Sequence, residues 1–323
     1  MTDTWTVASI PDQSGKAYIV TGANSGIGYE AALALAKKRA NVVLACRSPE
    51  RSQAAADRIR AAAPEARLEL APLDLASLRS VRAFADWFLR THDRLDVLVN
   101  NAGVMAIPRQ VTEDGFEMQL ATNHLGHFAL TGLLLGRLLA SAPSRVVNVS
   151  SMVHTIGKFD WRDMQLERRY SKWGAYARSK LANLFFTYEL SRRLEARGAH
   201  VIAVACHPGY AATNLQSVGP QLSGSPVAKA FMAFSNAVFA QSAAAGAWPT
   251  LRAATAPDVH GGDYYGPDGP MHMLGSPIKH ASHRRSYDRD AALRLWDESA
   301  RLTGVAYPEL PAAGTNGVVG QVA

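Results

Sequence analysis

Cysteine is nearly absent from this chain. Its 323 residues hold two, Cys46 and Cys206, each closing an apolar run and neither part of a CxxC pair. Neither a disulfide framework nor a thiolate zinc site is therefore expected, and a reducing compartment suits the chain. Charge is sparse as well, at 19% of residues against 48% hydrophobic, which excludes a disordered chain and fits a packed domain. The start, MTDTWTVASIPDQSGK, lacks the apolar core of a signal peptide. With the reduced cysteines, this leads to the expectation of a cytoplasmic protein. One stretch, 230–251, carries no charge, but Ser235, Asn236, Gln241 and Ser242 interrupt it and much of the rest is alanine. It is a poor bilayer span, so no transmembrane segment is expected. Phe231, Phe234 and Val238 are spaced as on one face of a helix, which makes a lid or core helix the better identity.

Net charge is +7, yet the basic residues are scattered apart from Lys37, Lys38 and Arg39 and from Lys279, Arg284 and Arg285. No basic helix with interleaved aromatics and no DNA-binding motif is present, so no nucleic-acid partner is expected. A solvated surface with a site for a phosphorylated ligand accounts for the excess. Ten histidines raise the question of a metal. His124 and His127 lie three apart on one predicted helix, and His280 and His283 repeat the spacing, but neither pair has a third ligand at a suitable distance. No metal is expected. His154 and His207 lie near predicted site loops, where packing is the more ordinary role.

Short apolar runs alternate with longer helical patterns. Runs at 17–20, 42–45, 68–71, 97–99, 146–149 and 201–205 read as strands, and 26–38, 50–62, 77–90, 115–140 and 174–196 as helices. Strands rich in Val, Ile and Leu without alternation are buried on both faces. The order predicts an α/β chain, a single doubly wound Rossmann-type domain with a mostly parallel sheet of six to seven strands and helices on both faces. The seventh strand would be Asp263-Tyr264-Tyr265, with a closing helix over 290–302. The domain is expected over 15–310, with an extension at 1–14, a flexible tail at 311–323, and a substrate loop and lid helix at about 210–250. Phe231, Met232, Phe234 and Phe239 would line the substrate side.

Directly after the first strand comes Thr21-Gly22-Ala23-Asn24-Ser25-Gly26-Ile27-Gly28. Glycines at 22, 26 and 28 let the backbone turn sharply and approach a pyrophosphate, with the next helix aiming its N–H groups at it. A glycine cluster is weak evidence alone; between a strand and a helix it marks a dinucleotide site. The second strand ends in Cys46-Arg47-Ser48, where an NAD-binding unit would carry an acid. A guanidinium and a hydroxyl can instead hold a ribose phosphate, which favours NADP(H). Asp74, before Leu75 at the end of the third strand, is either a turn acid or an acceptor for the adenine amino group.

Tyr176 and Lys180 share one face of a helix, four residues apart. A free tyrosine titrates near ~10, and bringing it down by ~3 units needs about 4 kcal/mol of differential stabilisation. A nearby ammonium and an oxidised nicotinamide could supply this together. YxxxK is common by itself. Here Ser150 and Ser151 end the fifth strand, Asn100-Asn101-Ala102-Gly103 ends the fourth, and Asn123 sits inside the following helix, where asparagine is a poor helix former.

The order TGANSGIG, NNAG, helical Asn, VSS, YxxxK and His207-Pro208-Gly209 resembles the short-chain dehydrogenase/reductase family over nearly the whole chain. By that resemblance Ser151 binds the substrate oxygen and Tyr176 is the acid/base. Lys180 holds the nicotinamide ribose and lowers the tyrosine's pKa, and Asn123 anchors a water for proton relay. Asn101, Ala102 and Gly103 would lie at the adenosine end, and Pro208, Gly209 and Thr213 beside the nicotinamide. The implied activity is hydride transfer between NADP(H) and a carbonyl or alcohol carbon of a small-molecule substrate. ACRS, TNHLGHF and AYARSKLAN, with the gap between Ser151 and Tyr176, are similar to retinol dehydrogenases, the WW-domain oxidoreductase and light-dependent protochlorophyllide reductases. A bulky apolar substrate follows from that branch, retinoid-, steroid- or aryl-ketone-like. The alternatives are a non-catalytic NADP(H)-binding redox sensor, which would not need the Asn123, Ser151, Tyr176 and Lys180 set, and a light-dependent pigment reductase. The helix carrying Tyr176 is apolar around most of its girth, so either a second subunit or this same chain covers it. The family's habit of pairing through such helices leads to the expectation of a homodimer.

Overall fold

The computed structural model describes residues 4–209 and 242–311. Each apolar run forms a strand: β1 (Ala17–Thr21), β2 (Asn41–Cys46), β3 (Arg67–Pro72), β4 (Val97–Asn100), β5 (Ser144–Val149), β6 (Val201–Cys206) and β7 (Tyr264–Pro267). An antiparallel β8 (Pro277–Lys279) is added to the strands read from sequence. At three residues, opened by a proline, it carries no periodicity to detect.

The strand order is β3-β2-β1-β4-β5-β6-β7-β8. Order reverses between β1 and β4, and the carboxyl ends of these strands therefore flank a crevice where ligands bind in open α/β sheets. The glycine turn leaves β1 at that point and Asn100–Gly103 leaves β4, so topology alone brings the two loops together.

Both faces of the sheet are covered. Tyr18, Val20, Val42 and Leu44 pack with Ala31, Ala32 and Leu35 of α1 (Gly26–Lys37) and Ile59 of α2 (Pro49–Ala62). Ile19, Val43, Leu98 and Val146 pack with Phe84 and Phe88 of α3 (Leu78–Thr91). A short α4 (Met118–Leu120) runs through a π-helical turn (Ala121–Leu125) into α5 (Gly126–Ala140), and the helix carrying Tyr176 and Lys180 is α6 (Lys172–Ala196). The uncharged segment ends in α7 (Ala243–Gly246) and α8 (Trp248–Thr255), where Ala247 and Leu251 belong to the core beside α1. Its first part, with Phe231, Met232, Phe234 and Phe239, lies outside the described residues, as does Thr213.

The apolar girth of α6 is answered within the chain. Every residue from Ala175 to Leu190 is buried, with α9 (Arg289–Thr303) packed along it. Trp296 of α9 has its ring centroid 5.9 Å from Phe186 and 5.3 Å from Phe128, and Tyr307 lies 4.5 Å from Trp296. The apolar face of α6 is thus covered, among the described residues, by the chain's own last helix. Residues near the N-terminus also pack on the sheet: Ile10 is buried, and the Tyr18 hydroxyl donates to Gln13 Oε1 at 2.6 Å.

Trp296 joins the two helices to the C-terminal segment, so Trp296→Ala should cost about 3–5 kcal/mol of unfolding free energy in urea. A loss under about 1 kcal/mol would mean that this cluster does not hold α6 in place.

Candidate active site

The site is built at the carboxyl ends of β1, β4, β5 and β6. Gly22 and Gly26 adopt φ of +68° and +55°, open to glycine and costly for other residues. A Cβ on Gly28 would stand 2.4 Å from the Gly22 carbonyl oxygen and 2.5 Å from Asn101 Nδ2. The turn is therefore folded back tightly on itself and against Asn101. Ser25 precedes α1 without a side-chain cap, and no acid stands in the first turn, so the positive end of the helix is left for an anion. Asn24 and Ile27 are half-buried in the same turn.

Past β2, Arg47 is exposed and unpaired among the described residues. Ser48 caps α2: its Oγ accepts from Arg51 N–H at 3.3 Å and donates to Glu50 Oε2 at 2.7 Å. Asp74 makes the local turn through Oδ1, which accepts from Ala76 N–H at 3.0 Å, while Leu75 is buried against α5.

Thr21 ties the two loops at the crevice. Its Oγ1 accepts the amide N–H groups of Asn101 and Ala102, both at 2.9 Å, and Asn101 Nδ2 donates to the Thr21 carbonyl at 2.8 Å. A Cβ on Gly103 would meet Asn123 Oδ1 at 3.0 Å and Lys180 Nζ at 3.6 Å, so glycine keeps this floor open between them.

Asn123 lies in the π-helical turn, an irregularity that often marks working sites. Its side chain is taken up by protein partners: Oδ1 accepts from Val104 N–H at 2.8 Å, and Nδ2 donates to the Val104 carbonyl at 2.9 Å and Ser179 Oγ at 2.8 Å. The amide is thus the clasp joining the β4 loop to α6.

Tyr176, Ser151 and Lys180 converge. Ser151 lies beside the Tyr176 hydroxyl, whose pKa it lowers, and Lys180 Nζ is 5.8 Å from the Tyr176 ring centroid. Lys180 donates to the Val149 carbonyl at 3.0 Å and Asn183 Nδ2 to the same oxygen at 3.1 Å. Burial pushes the Tyr176 hydroxyl up to about 12, with Ser151 opposing, and pushes the Lys180 ammonium down to about 8. Burial is thus the largest influence on the Tyr176 hydroxyl, and Ser151 is the side chain that opposes it.

Gly209, after Pro208, has φ of +66°, and a Cβ there would stand 2.2 Å from the Met273 carbonyl oxygen. His207 and His154 hold loops together. Gly209 N–H donates to His207 Nδ1 at 3.2 Å, His207 Nε2 lies 3.1 Å from His280 Nε2, and His154 Nδ1 lies 2.6 Å from the Ser151 carbonyl oxygen. His124 and His127 turn to separate partners, Ser299 and Thr21, and among the described residues no cluster of three or more metal-ligating side chains occurs.

Sequence reasoning missed a buried polar ladder. Asn100 Nδ2 donates to Asn148 Oδ1 at 2.8 Å, Asn148 Nδ2 to Thr187 Oγ1 at 2.9 Å, and Thr187 Oγ1 to the Asn183 carbonyl at 2.7 Å. An asparagine inside an otherwise apolar strand, as at Asn148, was the available signal.

The Lys180 burial has a testable sign. Between about 8 and the ordinary 10.5, the unfolded chain binds a proton that the native state does not, so stability rises with pH across that window. Compared with Lys180→Met, the wild type should gain up to about 3 kcal/mol in urea melts taken from pH 7 to 10. Parallel pH dependences would show that the ammonium is not desolvated.

The model of short chain dehydrogenases matches residues 16–221. Human retinol dehydrogenase 13 is 43% identical over 307 residues, covering 94% of this chain and 88% of that protein. Among solved structures, an uncharacterized protein from Mycobacterium paratuberculosis is 41% identical with a TM-score of 0.78, covering 94% of this chain and 99% of that one. A Beutenbergia cavernae protein described as an NAD(P)-dependent gluconate 5-dehydrogenase, with NADP bound at low occupancy, is 27% identical with a TM-score of 0.60, over 79% of this chain and 96% of that one. The chain belongs to the short-chain dehydrogenase family, in the retinol dehydrogenase branch, and is a nicotinamide-dependent oxidoreductase acting on CH–OH or C=O groups.

Proposed function

We propose that the chain is an NADP(H)-dependent carbonyl reductase or alcohol dehydrogenase for a bulky apolar substrate, with Ser151, Tyr176, Lys180 and Asn123 as its working set. The carrying observation is the convergence of Ser151, Tyr176 and Lys180 beside the glycine floor at Gly103. The residues present fit a dinucleotide: the folded-back turn at Gly22 and Gly28 takes the pyrophosphate, and Arg47 meets a ribose phosphate. When bound, the nicotinamide supplies or accepts hydride at the reacting carbon.

In reduction, the hydroxyls of Ser151 and Tyr176 donate to the carbonyl oxygen, and Tyr176 gives up its proton as the oxygen becomes an alcohol. A phenol pushed up to about 12 by burial is held in its protonated, donating form at neutral pH. Alcohol oxidation asks the reverse of Tyr176, which would take up the proton as a phenolate, a form that the positive charge of an oxidised nicotinamide would favour. Lys180, anchored on Val149, keeps a positive group under the ring and a hydrogen bond available to a ribose hydroxyl. The relatives named retinol dehydrogenases support an apolar substrate, and Arg47 together with the NADP-bound relative supports the phosphorylated cofactor.

Nicotinamide absorbance with purified protein and ketones and aldehydes of increasing bulk tests this. NADPH should be consumed faster than NADH, most with bulky apolar substrates, and Arg47→Ala should cut that preference about 10-fold, as expected for a charged hydrogen bond. Tyr176→Phe should stop turnover while the NADPH dissociation constant, read by fluorescence titration, stays unchanged. Persisting activity in that variant would overturn the mechanism, and preference for NADH would overturn the role of Arg47.

A further inference from the structure

His127 lies on α5, one turn beyond Asn123, and is 2% exposed. Its two ring nitrogens reach opposite sides of the site. Nε2 is 2.9 Å from Thr21 Oγ1, and Nδ1 is 3.1 Å from the main-chain carbonyl oxygen of Asn123. The hydrogen bonds decide the proton positions. Thr21 Oγ1 already accepts two amide N–H groups, from Asn101 and Ala102, so its own hydrogen must be given away. The nearer acceptor is His127 Nε2, at 2.9 Å against 3.2 Å for the Val99 carbonyl. His127 therefore accepts at Nε2 and donates from Nδ1 to Asn123. Burial pushes its pKa down to about 3, with Lys180 nearby acting the same way, so the ring stays neutral and keeps both roles.

We infer that His127 is a positioning residue for hydride and proton transfer, holding the Asn123 carbonyl in place against the Thr21 loop tie. This rests on the proposed roles of Tyr176, Lys180 and Asn123. The Asn123 side chain is committed to Val104 and Ser179, which leaves the main-chain carbonyl for a role in transfer, and His127 Nδ1 holds that carbonyl. The line Asn101–Thr21–His127–Asn123 then fixes one spacing between the loop at the cofactor crevice and the turn beside Lys180.

Three variants separate this from plain packing. His127→Phe keeps a flat ring and removes both bonds. His127→Asn can place an amide N–H where Nδ1 stood and restore the bond to Asn123. His127→Gln can place a carbonyl oxygen where Nε2 stood and restore only the bond to Thr21. Expected for His127→Phe is a kcat lower by about 10- to 100-fold, the scale of a small misplacement, with KM and the NADPH dissociation constant nearly unchanged. His127→Asn should recover most of the kcat and His127→Gln should not. In the wild type without cofactor, nitrogen NMR should find His127 neutral with the proton on Nδ1.

Equal kcat in all three variants, rescue by glutamine instead of asparagine, or a ring protonated on Nε2 would each overturn the inference. If His127→Phe does not fold, the asparagine and glutamine pair and the NMR measurement still decide. Tyr176→Phe run beside them keeps the two levels apart. If it stays active, the site reading fails; if it is dead while the His127 variants match wild type, only the positioning role fails.

Discussion

Two donors meet one carbonyl oxygen at the end of β5: Lys180 Nζ at 3.0 Å and Asn183 Nδ2 at 3.1 Å, both on Val149. A buried carbonyl left without partners would cost about 1–3 kcal/mol, so α6 has one axial position at which the strand end is satisfied. The same helix is tied further along, where Thr187 receives Asn148 Nδ2, and on its other side, where Ser179 receives Asn123 Nδ2. Sliding α6 by one residue would break all of these together. The height of Tyr176 above the sheet edge follows from that constraint more than from anything local to the tyrosine.

A second clasp works from behind. Glu117 and Arg178 are both buried and lie 3.4 Å apart. Glu117 also accepts the N–H groups of Gln119 and Leu120, and Arg178 donates to the Met164 carbonyl at 2.6 Å. A buried pair of this kind is weak evidence for net stability, since both charges lose their hydration. Its geometric effect is clearer. Arg178 stands between Tyr176 and Lys180 in sequence, so the helix is pinned on its far side to the start of the turn bearing Asn123, and both are pinned to the segment between Ser151 and Tyr176.

The fold was legible because burial on both faces leaves unbroken apolar runs, as in 42–45 and 201–205, and because the turn at Gly22, Gly26 and Gly28 needs a backbone that only glycine provides cheaply. The candidate site residues stood out through an order along the chain that resembles the family's. What could not be read were relations between distant side chains. Nothing around His127 shows that it meets Thr21, more than a hundred positions away, and nothing around Asn148 shows that its partners are Asn100 and Thr187. The three-residue β8 was too short to leave a pattern. The tyrosine's electrostatics were legible only in part: charge partners can be guessed from spacing, but the burial that pushes Tyr176 up depends on the whole fold.

The covering of α6 by α9 has a consequence for how the enzyme comes into being. The glycine turn is complete within the first thirty residues, yet the helix carrying Tyr176 and Lys180 is enclosed only when Trp296 and Tyr307 arrive. During synthesis, an apolar helix must wait, uncovered, while more than a hundred further residues are made. Contacts of such long sequence separation form slowly and leave hydrophobic surface open in the meantime. The order of elements that builds a nucleotide crevice early thus makes the completion of the chemistry one of the last events of folding.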